Sequence, residues 1–574
     1  MSSQATNNPN QQQQCEGAAK AAIRGTALAV FLRMLSFILS QMMLRRVDAR
    51  TLGQAAIQLD LLLSTCLFMG REGFRLSLMG KNVTYSLHNK YSFGTKREEE
   101  QALEEAALNN VMWLSAPIGV LSAILGLLIH LYISKYDSED YKFAGCLFCL
   151  GAMIESISEP VLILSLRLMK VEIRAAAEGA AIFSKAVAII VFLEILSDEM
   201  SVSAFGMAQL VYSIVLTGIL YFNMRPYIRL PTRFDAKNRT SFDHRHYIAV
   251  FRYPLHTSSL ALTGTFTLQG VFKHLLTKGD FIVLSAMSGR YDQGIYAMAN
   301  SYGGLASRIL LQPLEENGRH LFSRLASSKG RDAKECHDLK NAYTFLLKLV
   351  LYIGLIFSCI ASNYTGVLLK LLAGTKWSSK EASNALASFC FYTSTLALNG
   401  MSEAFVYGVV KSASEIKKLS VAHAIIGCAF SVFASFSVSI YGTVGLIAAN
   451  SFQMLLRSFY SIHFATNYFN SDRNSSGIQE RTKKLSISSL FYQCCPSPFS
   501  LISFLGSFLI TYISKVQYIE ATRDSITIDR FWVNESVRHV AIGVLCGSVS
   551  ATISYKTEYV LRQSVLSLIK LKYE

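Results

Sequence analysis

Residues 272–316 read FKHLLTKGDFIVLSAMSGRYDQGIYAMANSYGGLASRILLQPLEE, a stretch greasy enough for a bilayer that nevertheless carries Lys273, His274, Lys278, Asp280, Arg308, Glu315 and Glu316. An ionisable group at the centre of a membrane helix costs roughly 2.5–3.5 kcal/mol on insertion scales, so it is retained where it lines a watered cavity or meets a partner. The stretch therefore reads as part of a pathway through a membrane.

The rest of the chain agrees with that setting. Of 574 residues, 51% are hydrophobic and only 16% charged, against about 25% charged in an ordinary soluble domain. The net charge of +16 comes from short basic runs between apolar segments, which is a topology signal and not a nucleic-acid-binding stripe. The opening MSSQATNNPNQQQQ is polar and of low complexity, without the basic start and short apolar core of a cleaved signal. Most of the eleven cysteines lie in apolar segments, where they act as small hydrophobes; Cys146 and Cys149 form a CxxC with no second pair at zinc spacing.

A span needs about 20 mainly apolar residues. On that rule candidates fall at 26–44, 52–70, 109–133, 143–166, 175–196, 202–223, 262–288, 293–314, 343–362, 384–410, 419–441, 443–468, 497–514 and 537–555. The expected fold is thus all-α and polytopic, with about 14 transmembrane helices. Its expected divisions are a polar tail at 1–24, an N-terminal lobe at 25–223, a linker at 224–261, a C-terminal lobe at 262–470 and two further helices with a tail at 471–574. Short loops rich in Lys and Arg stay in the cytosol, which places both termini there. Arg45, Arg46 and Arg50 break the pattern, on the lumenal side of a span. The linker, basic and aromatic, suits an interfacial segment on an anionic leaflet. Among five sequons, Asn363 and Asn534 fall in loops expected in the lumen. Lys570 and Lys572, five and three places from the end, resemble a dilysine retrieval signal or a plain basic end beside a membrane.

An internal echo joins VDARTLGQAAIQLDLLLSTCLFMGREGFR (47–75) to RYDQGIYAMANSYGGLASRILLQPLEENGRHLF (290–322). Each opens on an acidic turn and a glycine, continues through small apolar residues and ends in charge. Repeats of this kind point to transporters, with the site at the repeat interface.

No Walker loop, GxSxG elbow, HExxH or dinucleotide fingerprint occurs, so neither catalytic residues nor a cofactor nor a metal site is expected. The intramembrane charges stand out instead. Glu155 and Glu159 share one helix face, and two carboxylates so close require protonation or a basic partner; they read as a proton relay, an internal lock or a structural salt bridge. Glu403 reads similarly. Arg308 and Glu315 stand seven apart on one face until Pro313 intervenes. Arginine suits bidentate phosphate recognition, so Arg308 with Arg45, Arg71 and Arg457 could line a cationic chamber, while snorkelling to the membrane surface is the plainer reading of Arg71 and Arg457.

The segments STCLFMGREGFR (64–75), IESISEP (154–160), FKHLLTKGD (272–280), DQGIYAM (292–298), SYGGLASRILLQPLEE (301–316), LNGMSEAF (398–405) and AANSFQMLLR (448–457), in this order, resemble the eukaryotic Rft family of oligosaccharide translocation proteins over about residues 25–470. The resemblance implies the multidrug/oligosaccharidyl-lipid/polysaccharide exporter superfamily, two six-helix lobes around a cavity, and an endoplasmic reticulum membrane location. It also implies movement of a dolichyl-diphosphate-linked oligosaccharide from the cytosolic to the lumenal leaflet for N-glycosylation. Lys278 stands where relatives tend to be acidic, while Asp280 keeps a carboxylate, which leaves the cavity's charge count open.

Combining residues and resemblance, Arg45, Arg71 and Arg308 are expected to contact the diphosphate. Asp280, Arg457, Glu155, Glu159, Glu315 and Glu403 are expected to pair with them or with helix neighbours when the cavity is empty, Glu315 as part of a cytosolic lock. Membrane lipids and glycosyltransferases of the pathway are the other expected partners, and nucleic acid is not one. A non-transporting scaffold for lipid-linked sugar and a cation-coupled drug antiporter on the same fold are the competing expectations.

Overall fold

A computed structural model describes residues 38–79, 96–168, 170–232, 247–250, 253–326, 333–410, 413–475, 486–520 and 530–558. The N-terminal tail, the dilysine end, the sequons at Asn82 and Asn238 and the linker residues 233–246 and 251–252 lie outside these residues. Helices make up nearly all of the described chain, as bilayer insertion demands when every backbone N–H and C=O must find its partner within the segment. Nine helical segments among the described residues are long and apolar enough to cross a membrane, and the chain is a multi-pass membrane protein.

The chain forms two compact units, one of Met1–Val47 with Gln58–Leu275 and the other of Asp48–Ile57 with Leu276–Glu574. Helix α1 covers 38–46. Helix α2 starts at Ala49, passes through a wider π turn at Gln54–Leu59 and continues as Asp60–Met79. Asp48 caps it, accepting from Thr51 N at 3.2 Å. The first unit continues with α3 (Lys96–Ile133), α4 (Glu139–Arg167), α5 (Val171–Ile195) and α6 (Ser201–Met224). The Asp140 carboxylate caps α6 from its neighbour, accepting from Val202 N at 3.0 Å and Ser203 N at 2.9 Å.

After α6 the described part of the linker includes a short hairpin. Strands β1 (Tyr247–Val250) and β2 (Tyr253–His256) form an antiparallel hairpin with Tyr247 opposite His256. Asn110 on α3 holds this region, donating to Thr232 O and Pro254 O at 3.0 Å each. Helix α7 (Thr257–Thr277) then returns to the first unit, where Lys273 pairs with Glu72 at 3.2 Å and the His274 ring stacks on Phe68 at 5.2 Å.

The expected single span at 262–288 is two helices, because α7 ends before Lys278 and α8 (Gly279–Met287) begins after it. Asp280 accepts from Phe281 N at 2.9 Å at the start of α8, satisfying one of the donors that every helix start exposes. Helix α9 comprises Arg290–Ala306, a π turn at Ser307–Leu311 and Gln312–Ala326. Pro313 cannot donate back into the helix, and the π turn immediately before it is where the ladder adjusts.

The second unit continues through α10 (Ala333–Cys359), the short α11 (Thr365–Leu372), α12 (Lys380–Val409), α13 (Ala413–Ser475), α14 (Ile487–Cys494), α15 (Pro498–Ser514) and α16 (Arg530–Thr557). Helix α13 breaks at Gly442, whose φ of 56° and ψ of −134° divide it into the two spans expected at 419–441 and 443–468.

Each unit has its own apolar core. In the first, Phe74, Val111, Met112, Ile163 and Leu216 interlock. In the second, Phe322, Tyr343, Phe405 and Phe469 do, with the Tyr343 and Phe405 rings 4.6 Å apart. The outward faces are also apolar: Leu121, Leu125 and Leu128 of α3 are 64%, 58% and 60% exposed, a stripe at helical spacing that suits lipid and would be an aggregation hazard in water.

Candidate functional site

The polar interior of the first unit is built from α2, α4, α5 and α6. Glu155 and Glu159 lie one turn apart on α4 and are nearly inaccessible. Arg71 and Arg75 lie one turn apart on α2, so the two i, i+4 rows face each other. Arg71 Nη2 donates to Glu155 Oε2 at 2.6 Å, and its Nε lies 3.2 Å from Glu159 Oε2. Arg75 grips Glu159 with two nitrogens, Nε to Oε1 and Nη2 to Oε2, the latter at 2.8 Å. Glu155 Oε1 accepts from Gln209 Nε2 at 2.7 Å and Ser213 Oγ at 3.1 Å, both on α6. Lys185 of α5 completes the chain, its Nζ donating to Gln209 Oε1 at 2.6 Å.

Each of the two glutamates thus meets a basic partner on another helix. Arg71 does not snorkel to the surface; it turns inward to both carboxylates. Arg75, Gln209, Ser213 and Lys185 went unnoticed in the sequence. The signal for Arg75 was its position four after Arg71, matching the spacing of the glutamates.

The second unit holds a smaller cluster. Arg457 of α13 grips Glu403 of α12 through Nε to Oε1 at 2.8 Å and Nη2 to Oε2 at 3.0 Å, so it too is paired and not snorkelling. His423 Nε2 lies 3.4 Å from Glu403 Oε1. Ser158-Glu159 and Ser402-Glu403 occupy matching settings in the two units. Ser158 Oγ donates to Glu155 O at 2.8 Å and Ser402 Oγ to Asn399 O at 3.0 Å, and in each case the following glutamate meets a guanidinium. This second echo, ESISE against NGMSE, is local structure repeated in both units.

Asp280 meets a hydroxyl: its Oδ2 accepts from Tyr296 OH at 2.6 Å, and Asn450 Nδ2 donates to the same hydroxyl at 3.1 Å. Arg308 is exposed on the π turn of α9, with Nε donating to Gly304 O at 3.0 Å. The π turn also breaks the simple seven-residue relation to Glu315, whose side chain packs against Gly400. Arg45 is exposed near the end of α1, and the adjacent Arg46 pairs with Glu194 of α5. Asn363 is buried and its Nδ2 donates to Phe508 O and Thr511 Oγ1 at 3.2 and 2.9 Å, so the amide of that sequon is committed to helix packing.

The first sequence echo is also visible in the second unit. Gly53 of α2 and Gly294 of α9 occupy corresponding places in the two echoing stretches, and they cross at contact. A Cβ on Gly53 would collide with Arg290 O, and one on Gly294 with Ala49 O.

Solved structures share this fold. A lipid II flippase MurJ in an inward closed conformation superposes with a TM-score of 0.56 at 14% identity, over 93% of this chain and 99% of that one. An inward-facing multidrug resistance MATE family transporter of the MOP superfamily gives 0.50 at 12% identity, over 78% and 96%. In sequence, the chain is 26% identical to the Man(5)GlcNAc(2)-PP-dolichol translocation protein RFT1 of Dictyostelium discoideum over 93% of each chain. It is 27% identical to the protein of that name from Mus musculus over 94% of each. The family model for Rft protein matches residues 19–568, and the chain belongs to the Rft family.

Proposed function

We propose that this protein carries dolichyl-diphosphate-linked oligosaccharide, of the Man(5)GlcNAc(2) type named for its relatives, from the cytosolic to the lumenal leaflet of the endoplasmic reticulum membrane. The observation that carries the reading is the Arg71–Arg75–Glu155–Glu159 cluster inside membrane-spanning helices. A diphosphate cannot cross hydrocarbon unaided, since a desolvated charge with no partner is prohibitively costly. Guanidinium groups held in the membrane by carboxylates can exchange those carboxylates for phosphate oxygens, and arginine's fork matches both.

In this reading Arg71 serves the diphosphate, and Arg45, Arg308 and Arg457 are further candidate cations for it. Asp280, with its carboxylate held by Tyr296, orients the start of the second unit, and Glu155, Glu159, Glu315 and Glu403 hold cations in the empty state. Transport proceeds by alternating access without ATP, both termini are cytosolic, and glycosyltransferases of the pathway are neighbours. The test is purified protein in liposomes with the authentic glycolipid, scoring leaflet transfer for wild type against Arg71→Ala and Arg308→Ala. Transfer by wild type with at least a tenfold loss in folded variants is expected. Equal transfer by all, or by none, would overturn direct translocation and leave an accessory role in lipid-linked sugar assembly.

A further inference from the structure

Lys185 has no place in the scheme above. It sits fourteen residues into α5, flanked by AIFS and AVAII, roughly 20 Å along the helix axis, at a depth where an ammonium is retained only for a purpose. Its Nζ donates to Gln209 Oε1 at 2.6 Å, and Gln209 Nε2 passes the interaction on to Glu155 Oε1 at 2.7 Å. The glutamine amide is thereby aligned between a cation and an anion, with its carbonyl towards the first and its amino group towards the second.

The wiring of the cluster singles out Arg71. Glu159 is held by Arg75 through two bonds, independently of Arg71. Glu155 is held by Ser213 and Gln209 on one oxygen and by Arg71 on the other. Arg71 is the cation shared by both carboxylates, and each retains another partner if it leaves. Withdrawing Arg71 to an incoming anion therefore leaves Glu155 with Lys185, reached through Gln209, as its next cation.

We propose that Lys185 is a positioning residue for translocation: acting through Gln209, it is the reserve counterion of Glu155, and it frees Arg71 to turn to a ligand phosphate. The role in translocation rests on the function proposed above, whereas the control of Arg71 does not. Removing the lysine makes departure of Arg71 costlier, because Glu155 is then left charged without a nearby cation, and because the repulsion between the two cations is gone. A lysine that merely fills space would alter stability and leave the freedom of Arg71 unchanged.

The experiment has two arms on full-length protein in detergent, with thermal unfolding used to select folded variants. The first follows modification of Arg71 by phenylglyoxal, peptide by peptide, without ligand. Lys185→Met is expected to slow it at least threefold, Lys185→Arg to keep the wild-type rate, and Glu155→Gln to accelerate it whether or not Lys185 is also methionine. The second arm measures binding of dolichyl-diphosphate-linked oligosaccharide. Lys185→Met is expected to weaken it about tenfold, with Glu155→Gln in the same chain restoring it to within about threefold. An Arg71 rate unmoved by Lys185→Met overturns the reserve-counterion role, whatever the glycolipid does. Slowed modification in Lys185→Met, together with a wild type that does not bind the glycolipid, supports the control of Arg71 and overturns the translocation reading instead.

Discussion

The residue that organises the first unit is Arg75. Its bidentate hold on Glu159 is a buried ion pair that another arginine also touches, and breaking such a pair leaves an uncompensated charge at a cost of about 3–5 kcal/mol. Arg75→Ala should therefore lower stability by about 3 kcal/mol, given that the side chain is 24% exposed and partly rehydrated. Arg75→Ala with Glu159→Gln should recover part of that loss, and a thermal-unfolding double-mutant cycle would measure the coupling; strict additivity would show that the pair is not coupled. At this scale the sequence was half legible. Glu155, Glu159, Arg71 and Glu403 announced themselves as charge within apolar runs. Lys185 and Gln209 did not, since a single lysine in a span and a glutamine near a helix start have many innocent explanations, and their alignment appears only when α5 and α6 lie against α4. Asp280 was legible as an intramembrane carboxylate, but its partner Tyr296 is a hydroxyl sixteen residues away, which no charge-pairing argument would have found.

Among the elements, ten of the fourteen apolar runs fall in helices long and apolar enough to cross a membrane, because insertion rests on the same length and hydropathy that the eye can count. Those at 262–288, 293–314 and 384–410 do not meet that measure, and most of 26–44 lies outside the described residues. What hydropathy cannot show is how a span is interrupted. The break at Lys278, the π turns at Gln54–Leu59 and Ser307–Leu311, and the hairpin between β1 and β2 all lie where local backbone bonding departs from the α pattern at no cost in apolarity. The bend at Gly442 was placed correctly as a boundary between spans, though not as a left-handed glycine within one helical run. Its dihedrals are open to glycine and strained for other residues by about 1–3 kcal/mol. Gly442→Val should lower the melting temperature of folded protein in detergent, whereas Gly179→Ala, where a Cβ meets nothing within 4 Å, should leave it unchanged or slightly raised, as a helix interior prefers alanine to glycine by about 1 kcal/mol. An equal response at the two glycines would show that backbone conformation is not what Gly442 supplies.

For the whole molecule, the consequences of a new charge depend on the face it enters, since Glu155 and Glu159 of α4 are buried while Leu121, Leu125 and Leu128 of α3 face outward. Leu121 is 64% exposed in the middle of α3, and an arginine there meets lipid with no carboxylate to receive it. Leu121→Arg should cost roughly 2.5–3.5 kcal/mol of insertion free energy, read as loss of carbonate-resistant membrane protein, while Leu121→Phe should insert normally. Insertion of the arginine variant at wild-type yield would contradict the assignment of that face to lipid. The wider turn in α2 has a last consequence, for how the gene can change length. A π turn accommodates one residue more than the α-helix would need. Deleting one residue within 54–59 can be absorbed by tightening that turn, with the downstream face kept in phase. Deleting one residue between Asp60 and Arg71 instead rotates both arginines by about 100° away from their glutamates. A three-base loss would thus be silent or disabling according to a few codons' difference in position, and a reading-frame-preserving deletion in this helix can be judged only by which side of Leu59 it falls.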